Sequence, residues 1–330
     1  MPRVFVGVGG YPFGMSEESN NGEHSGVESN GNDSCESVFL DGVMMTREEA
    51  KVSAFDASVQ HGVGLFETMH GFTTPDGVVV EDLDEHMDRL QESAAMLGLS
   101  DDLKTGALGE AVVETVRRAR YKHTRVRLTV TGGDLNMLQS GGSGGHSPTV
   151  LIQAQPATAY PDEMFENGVM ATIAEARANP LDPTAGHKTL NYWWRLRELQ
   201  AAAVKGAGES IVLQVSNHLG GGCVSNLFVV SGGKLITPIA RGEESSEAHA
   251  LPSPVLPGIT RARVMATAKK LGIGVEVRMM SIDDLLDADE VFLTNSSWKV
   301  LPVVKVEAEV IGSGEPGGVT NQIRSGVLGG

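Results

Sequence analysis

The chain has 330 residues, of which 41% are hydrophobic, and its formal net charge is −16. This length and composition predict one or two globular domains, and the negative charge argues against a nucleic-acid partner because phosphate binding needs a basic face. Two cysteines predict no disulfide framework, and no apolar run approaches the length that spans a membrane. We therefore expect a cytoplasmic protein without a metal site.

The first 37 residues differ in composition from the rest of the chain. Residues 15–37 are rich in Ser, Glu, Asn and Gly and contain almost no apolar side chains. Because such a stretch buries too little surface to offset its ordering entropy, residues 1–37 are predicted to be disordered. The folded part is expected to begin at Val38, with a hairpin turn at Asp41-Gly42.

Three elements are predicted in a first domain, residues 38–154. Apolar side chains recur at helical spacing from Leu83 to Leu97, before Gly98. Residues 125–131 alternate between apolar and polar side chains, which is typical of a strand with one buried face, and 149–153 predict a second strand. Arg125 and Arg127 project from the opposite face of their strand, where we expect solvent.

The second half of the chain is predicted to form a larger domain. Residues 155–163 contain two prolines and no periodicity, so they are interpreted as a linker that leads into residues 164–312. Apolar spacing predicts one helix from Leu190 and another that ends before Gly272. The glycine-rich residues 313–330 are expected to be loosely held.

Lys188 is the strongest candidate for a reactive residue. It lies in His187-Lys188-Thr189-Leu190-Asn191-Tyr192, after a loop that contains two prolines and before an apolar run. Most lysines are solvated surface charges. Burial among apolar and aromatic groups disfavours the charged ammonium, however, and a neutral amine can form a Schiff base with an aldehyde.

Two further segments could bind a phosphate group. In Leu256-Pro257-Gly258-Ile259-Thr260, glycine would let the backbone approach an anion, and the N–H groups of a helix N-terminus could point at it. Arg89 offers a planar fork that matches phosphate oxygens. The alternatives are an ordinary capped loop and a surface arginine paired with Asp88 or Glu92. His86 either supports the phosphate site or caps a core.

Several motifs in this order resemble the class IV, or fold type IV, pyridoxal-phosphate-dependent aminotransferases. That family includes branched-chain aminotransferase, D-amino acid aminotransferase and aminodeoxychorismate lyase. The motifs span about residues 38–312 and comprise His61-Gly62-Val63-Gly64-Leu65-Phe66-Glu67-Thr68, Glu85-His86-Met87-Asp88-Arg89-Leu90, the Lys188 string, Ser225-Asn226-Leu227-Phe228, Leu256-Pro257-Gly258-Ile259-Thr260-Arg261 and Leu293-Thr294-Asn295-Ser296-Ser297.

The resemblance implies an α+β, two-domain enzyme with a small α/β sandwich domain and a larger α/β barrel-like domain. Pyridoxal 5′-phosphate would form a Schiff base with Lys188, and its phosphate would be bound by Arg89, Ile259, Thr260 and Ser296. The implied reaction transfers an amino group between an amino acid and a 2-oxo acid. A homodimer is also implied, and the apolar pairs Leu65-Phe66 and Trp193-Trp194 could support one.

One position departs from the family pattern. The glutamate that normally holds a proton on the pyridine nitrogen is Gly221 here, and the sequence offers no nearby acid, only Asn217, His218 and Cys223 as polar candidates. Two alternatives therefore stay open beside amino transfer. One is an aminodeoxychorismate lyase that releases pyruvate, and the other is a weakly active or non-catalytic homologue that binds pyridoxal phosphate.

Overall fold

The computed structural model of the protein describes residues 37–134, 148–245 and 251–329, which belong to one compact unit. The prediction of disorder for residues 1–37 lies outside this range except for Ser37. That residue begins the first strand, so the predicted start of the folded part is one residue late.

The first sheet is antiparallel throughout and has the strand order β2-β1-β6-β5-β3-β4. Its strands are β1 (Ser37–Leu40), β2 (Val43–Thr46), β3 (Gly64–Thr74), β4 (Gly77–Val80), β5 (His123–Thr131) and β6 (Val150–Pro156). The predicted turn joins β1 to β2. Asp41 and Gly42 both have positive φ, 47° and 92°, as a two-residue hairpin turn with the twist of the strands requires.

Three helices accompany this sheet: α1 (Ala57–His61), α2 (Leu83–Met96) and α3 (Thr105–Ala119). The alternation predicted for β5 is confirmed, because Val126, Leu128 and Val130 are fully buried in one apolar cluster. Met87 and Leu90 of α2 enter the same cluster. The helix predicted from Leu83 is also confirmed.

The second sheet has the order β12-β11-β10-β13-β14-β7-β8-β9, and β15 pairs with β14. Its strands are β7 (Val169–Ala178), β8 (Glu209–Gln214), β9 (Leu219–Gly222), β10 (Asn226–Ser231), β11 (Lys234–Thr237), β12 (Val275–Val277), β13 (Glu290–Asn295), β14 (Lys299–Val306) and β15 (Glu309–Val310). Strand β7 is parallel to both of its neighbours, β14 and β8, whereas β8 and β9 are antiparallel.

The helices of this half are α4 (Glu163–Glu166), α5 (Trp193–Val204), α6 (Ile259–Lys270), α7 (Ile282–Leu286) and α8 (Gly318–Leu328). The prediction of a loosely held tail is wrong over α8, where Ile323 and Val327 pack into an apolar cluster with Val264 of α6. Apolar residues at helical spacing fix this segment despite its glycine-rich ends.

Two sheets, each accompanied by helices, follow one another along the chain and confirm the α+β class. The chain passes from the first sheet to the second between Pro156 and Val169. The predicted linker begins too early, because Gln155 and Pro156 still pair with β5; a proline is tolerated at the end of a strand. The proposed domain limits otherwise remain predictions. In the described residues, no helix is long and apolar enough to cross a membrane.

Candidate active site

A cavity of about 320 Å³ brings residues of both sheets together. All five residues predicted to bind or react with a cofactor line it: Arg89, Lys188, Ile259, Thr260 and Ser296. They lie in four separate segments of the chain, so their convergence depends on the tertiary structure. The cavity is therefore the candidate active site.

Lys188 is held beside strand β3 rather than at the start of a helix. The N–H of Phe66 donates to the Lys188 carbonyl, and Leu65 forms a bridge with Thr189. Helix α5 begins only at Trp193, so the predicted junction is a few residues too early. The Lys188 Nζ lies 4.4 Å from the centroid of the Phe66 ring. The lysine is thus half-buried against an aromatic wall and is not a free surface charge.

Tyr192 is a site residue that the sequence argument did not select. Its ring centroid lies 5.7 Å from the Lys188 Nζ, and its ring meets that of Phe66 edge-on. Burial acts to raise the pKa of the Tyr192 phenol, but the positive charges of Lys188, Arg195 and Arg89 lower it overall. The phenol can therefore exchange a proton with its neighbours more readily than an ordinary tyrosine.

Arg89 is oriented by a buried carboxylate. Its Nε and Nη2 donate to the two carboxylate oxygens of Glu67 at 2.9 and 2.5 Å, and its Nη1 donates to the Pro257 carbonyl at 2.9 Å. Pairing with Asp88 or Glu92 is thereby excluded. A guanidinium has five N–H donors, so two remain for an anion in the cavity.

His86 supports this arrangement through Glu67. Its Nδ1 lies 2.6 Å from Glu67 Oε2, and all three side chains are at least nine-tenths buried. Burial acts to raise the pKa of Glu67, but Arg89 and His86 outweigh it and hold that pKa at about 2. The sequence named His86 and Arg89 but missed Glu67, although Glu67 stands within a quoted motif.

The N-terminus of α6 lies next to Arg89 in the cavity wall, because Pro257, which accepts from Arg89, directly precedes its N-cap. Its N-cap is Gly258, and no side chain caps the first turn, so the N–H groups there are available to an anion. A Cβ at Gly258 would lie 1.9 Å from Asn226 Oδ1, which explains why this position needs glycine. Thr260 is 4% exposed and lines the cavity.

Several buried polar atoms around the cavity have no partner within the described part of the chain. They are His187 Nε2, Thr294 Oγ1 and Trp298 Nε1. Burial, with a contribution from Arg241, lowers the pKa of His187 to about 4, so its imidazole is neutral at pH 7. Unpaired buried polar atoms beside an uncapped helix N-terminus, an arginine and an amine fit a phosphorylated aromatic aldehyde.

An acid does lie near Gly221, which corrects the sequence argument. Glu209 of β8 is fully buried, and its carboxylate accepts from the N–H groups of Cys223 and Val224 and from Ser225 Oγ. The sequence argument missed it because Glu209 lies twelve residues before Gly221, and only the pairing of β8 with β9 brings the two segments together. Burial raises the pKa of Glu209, although the hydrogen bonds from these groups oppose the increase.

Arg125 and Arg127 face the cavity, so the expectation that they meet solvent is wrong. The Arg127 Cζ lies 3.6 Å from the centroid of the Phe66 ring. Burial, followed by the charge of Arg125, lowers the pKa of Arg127 to about 10. The face of β5 opposite the apolar cluster therefore borders the cavity rather than bulk solvent.

An uncapped helix N-terminus, an arginine, an amine and edge-on aromatic rings in one cavity are typical of a cofactor-dependent enzyme. A family model for amino-transferase class IV matches residues 64–306. The chain therefore belongs to the class IV aminotransferases, a family of pyridoxal-phosphate-dependent enzymes.

Named relatives agree with this assignment. The branched-chain-amino-acid aminotransferase of Escherichia coli (strain K12) is 32% identical over 295 residues, covering 88% of this chain and 92% of that protein. A crystal structure of the Escherichia coli branched-chain enzyme superposes with a TM-score of 0.80 and 30% identity, covering 89% and 94% of the two chains.

Two other similar proteins are named for, or complexed with a derivative of, a different amino acid. D-alanine aminotransferase of Bacillus licheniformis is 29% identical and covers 87% of this chain and 94% of that protein. The T.th. branched-chain amino acid aminotransferase complexed with N-(5′-phosphopyridoxyl)-L-glutamate has a TM-score of 0.77 and 28% identity, covering 89% and 93% of the chains.

Proposed function

We propose that the protein transfers an amino group between an amino acid and a 2-oxo acid, with Lys188 as the residue that binds pyridoxal 5′-phosphate covalently. The observation that carries this proposal is the position of the Lys188 amine in the same cavity as Arg89 and the uncapped N-terminus of α6. An aldehyde that is anchored by its phosphate at Arg89 and α6 would thus lie within the same enclosure as a nucleophilic amine.

The residues of the cavity would have different roles. Arg89, the N–H groups of Ile259 and Thr260, and Ser296 would hold the phosphate of the cofactor. Pyridoxal phosphate, when bound, supplies an aldehyde carbon and an aromatic ring that withdraws electrons from the substrate. The amine of Lys188 would act as the general base that moves a proton at the substrate carbon. The Tyr192 ring, with its centroid 5.7 Å from that amine, borders the same space.

The cavity favours anions. Arg125, Arg127 and Arg195 line it, and among the described residues the lining includes no Asp or Glu. A carboxylate that enters would be attracted to the two arginines of β5. The T.th. relative complexed with a phosphopyridoxyl derivative of L-glutamate supports a substrate that carries a second carboxylate. We propose such a dicarboxylate as one of the two reaction partners.

Borohydride reduction followed by peptide mapping tests the role of Lys188. We expect the reduced protein to carry the cofactor on Lys188, and Lys188→Ala to carry none. Lys205→Ala is the matched control, because the Lys205 side chain is 59% exposed and pairs only loosely, at 3.7 Å, with Glu307. A label on another lysine, or no label, would contradict the proposal.

Bleaching of the bound cofactor by amino donors then identifies the reaction. A donor that bleaches the visible absorption, followed by recovery with a 2-oxo acid, supports amino transfer. Release of pyruvate without an acceptor acid would instead identify the lyase. A visible band that no amine changes would identify a non-catalytic homologue.

We also propose that the protein is a homodimer. Trp193 is 83% exposed and Phe55 is 68% exposed, so both could bury apolar surface against a second copy. Leu65 and Phe66 are already buried in the protomer and cannot contribute, contrary to the sequence argument. Light scattering should give twice the chain mass of 34.8 kDa. The single-chain mass in dilute buffer would refute the dimer.

A further inference from the structure

The cavity wall at residues 220–223 lacks the carboxylate that the family pattern places at Gly221. The backbone there does not accept a side chain without strain. Gly221 has φ of +151°, and a Cβ at this position would lie 2.9 Å from the Ser225 carbonyl oxygen. Because both the dihedral angle and the contact disfavour an L side chain, the absence of the glutamate is built into the local fold.

A guanidinium lies at this wall instead. Arg195 belongs to the first turn of α5, lines the cavity and donates from Nη1 to the Cys223 carbonyl at 2.9 Å. The Cys223 carbonyl lies two residues along the chain from Gly221. The Arg195 Cζ is 4.4 Å from the centroid of the Trp194 ring and 5.6 Å from that of Tyr192, and these rings restrict its movement.

Arg195 has unused hydrogen-bond donors. Of its five N–H groups, one is used by Cys223, and within the described residues no carboxylate lies at ion-pair distance from it. Its neighbour Arg197 differs, since it faces solvent and lies 3.6 Å from Glu175. A half-buried cation with unused donors that faces a cavity is arranged to meet an acceptor in that cavity.

Glu209 does not compensate for the missing carboxylate. Each of its oxygens already accepts two hydrogen bonds, from the N–H groups of Ser210 and Cys223 on one side and from Val224 N and Ser225 Oγ on the other. It lies behind the glycine segment and is not part of the cavity wall. Its carboxylate is therefore committed to holding the segment in place.

The chemistry of the two partners decides the protonation state of a bound pyridine ring. A guanidinium only donates hydrogen bonds, an unprotonated pyridine nitrogen only accepts them, and a protonated one only donates. We propose that Arg195 donates a hydrogen bond to the ring nitrogen of pyridoxal phosphate and keeps that nitrogen unprotonated. This inference rests on the proposed function, because it requires the cofactor to bind in this cavity.

The consequence is a weaker electron sink. A ring that lacks its proton withdraws less electron density, so the negative charge that develops at the substrate carbon is less stabilised than in a relative with the glutamate. The basicity of Lys188 and the position of the substrate must then supply more of the catalysis. Arg195 thus sets the electronic state of the cofactor, whereas Arg89 sets its position.

Nitrogen-15 NMR of the protein loaded with [15N]pyridoxal 5′-phosphate tests this inference without measuring turnover. In the wild-type protein we expect the ring nitrogen to resonate where hydrogen-bonded, unprotonated pyridine does, throughout the pH range in which the holoenzyme is stable. Arg195→Gln removes the cation and should move this signal. Arg197→Gln, two residues further along the same helix and facing solvent, should leave it unchanged.

The possible results separate the two proposals. If the wild-type protein binds no cofactor, the proposed function fails. If it binds the cofactor and the nitrogen is protonated, only the inference about Arg195 fails. A signal that Arg195→Gln does not move would also overturn it. Should Arg195→Gln not fold, Arg195→Met keeps the length of the side chain but removes every donor, and a displaced signal in that variant supports the hydrogen bond while an unchanged one contradicts it.

Discussion

Two buried glutamates contact different parts of the cavity wall, Glu67 at Arg89 and Glu209 at residues 223–225, and illustrate how partners, rather than burial, set the charge of a carboxylate. Glu67, near the anion site, contacts Arg89 and His86, which together lower its pKa to about 2 despite its burial. Glu209, behind residues 220–223, is held by backbone N–H groups and a serine, and its pKa is raised by burial. Both side chains are inaccessible to solvent.

The comparison separates two ways of building a cofactor site. At the anion end, a carboxylate and a guanidinium neutralise each other and leave two guanidinium N–H groups for the phosphate that we propose binds there. At the other end, the carboxylate is committed to the backbone, and the guanidinium of Arg195 faces the cavity with donors unused. The anion end is therefore compatible with the proposed phosphate site, whereas Gly221 departs from the residue that the family resemblance implies.

The largest effect is expected from breaking the pair at the anion end. Arg89→Ala leaves Glu67 buried without its main cation, so the free energy of unfolding should fall by about 3–5 kcal/mol. In variant protein that still folds, cofactor affinity should fall by about 1.5–3 kcal/mol. Urea unfolding and cofactor titration measure the two effects.

Arg118→Ala is the matched control for that change. The Arg118 side chain is 52% exposed in its pair with Glu114, so its loss should cost about 0–1 kcal/mol. Equal stability losses in the two arginine variants would show that the Glu67–Arg89 pair has no special role.

The second largest effect is expected from lowering the pH, which should weaken the Glu67 ion pair and destabilise the protein. Because the pKa of Glu67 falls from 4.5 in a model peptide to about 2 in the fold, its ion pair stabilises the protein fully above pH 4.5. This contribution, roughly 3 kcal/mol, is lost as the pH falls from 4.5 towards 2. Glu67→Gln should flatten the dependence of unfolding free energy on pH in this window. The same slope in wild type and variant would contradict the assignment.

A smaller loss of stability is expected when the glutamate of the family pattern is introduced at position 221. Gly221→Glu places a side chain at positive φ against the Ser225 carbonyl, so unfolding should become easier by about 1–3 kcal/mol. Gly233→Glu is the control, because Gly233 has φ of +75° but open space around it, and should cost about 1 kcal/mol. Thermal unfolding compares the two. A fully stable Gly221→Glu protein would show that the backbone tolerates the glutamate.

The smallest effect is expected from removing one of the hydrogen bonds that hold the Glu209 carboxylate. Ser225→Ala removes one of its four hydrogen bonds, at 3.0 Å, and should lower the free energy of unfolding by about 1 kcal/mol. Ser216→Ala removes a hydroxyl that contacts the exposed His218 and should have almost no effect. If Ser225→Ala were as harmful as Arg89→Ala, the proposed difference between the two glutamates would be wrong.

Local sequence patterns predicted those elements whose buried face is encoded by spacing. Apolar residues at helical intervals marked α2 and α6, and alternation marked β5, because side-chain direction follows directly from backbone periodicity. The motif order was sufficient to name the family and to select five residues that line one cavity. Their individual roles remain predictions.

The sequence by itself selected Lys188 as the candidate reactive residue, the segments proposed to bind phosphate, and Gly221 as a departure from the pattern that the family resemblance implies. Only the tertiary structure decided that Glu67 orients Arg89, that Glu209 lies behind the glycine segment, and that Arg195 faces the cavity beside it. The physical reason is that periodicity tells which side chains share a face, whereas the charge and protonation of each depend on what a distant part of the chain places opposite it.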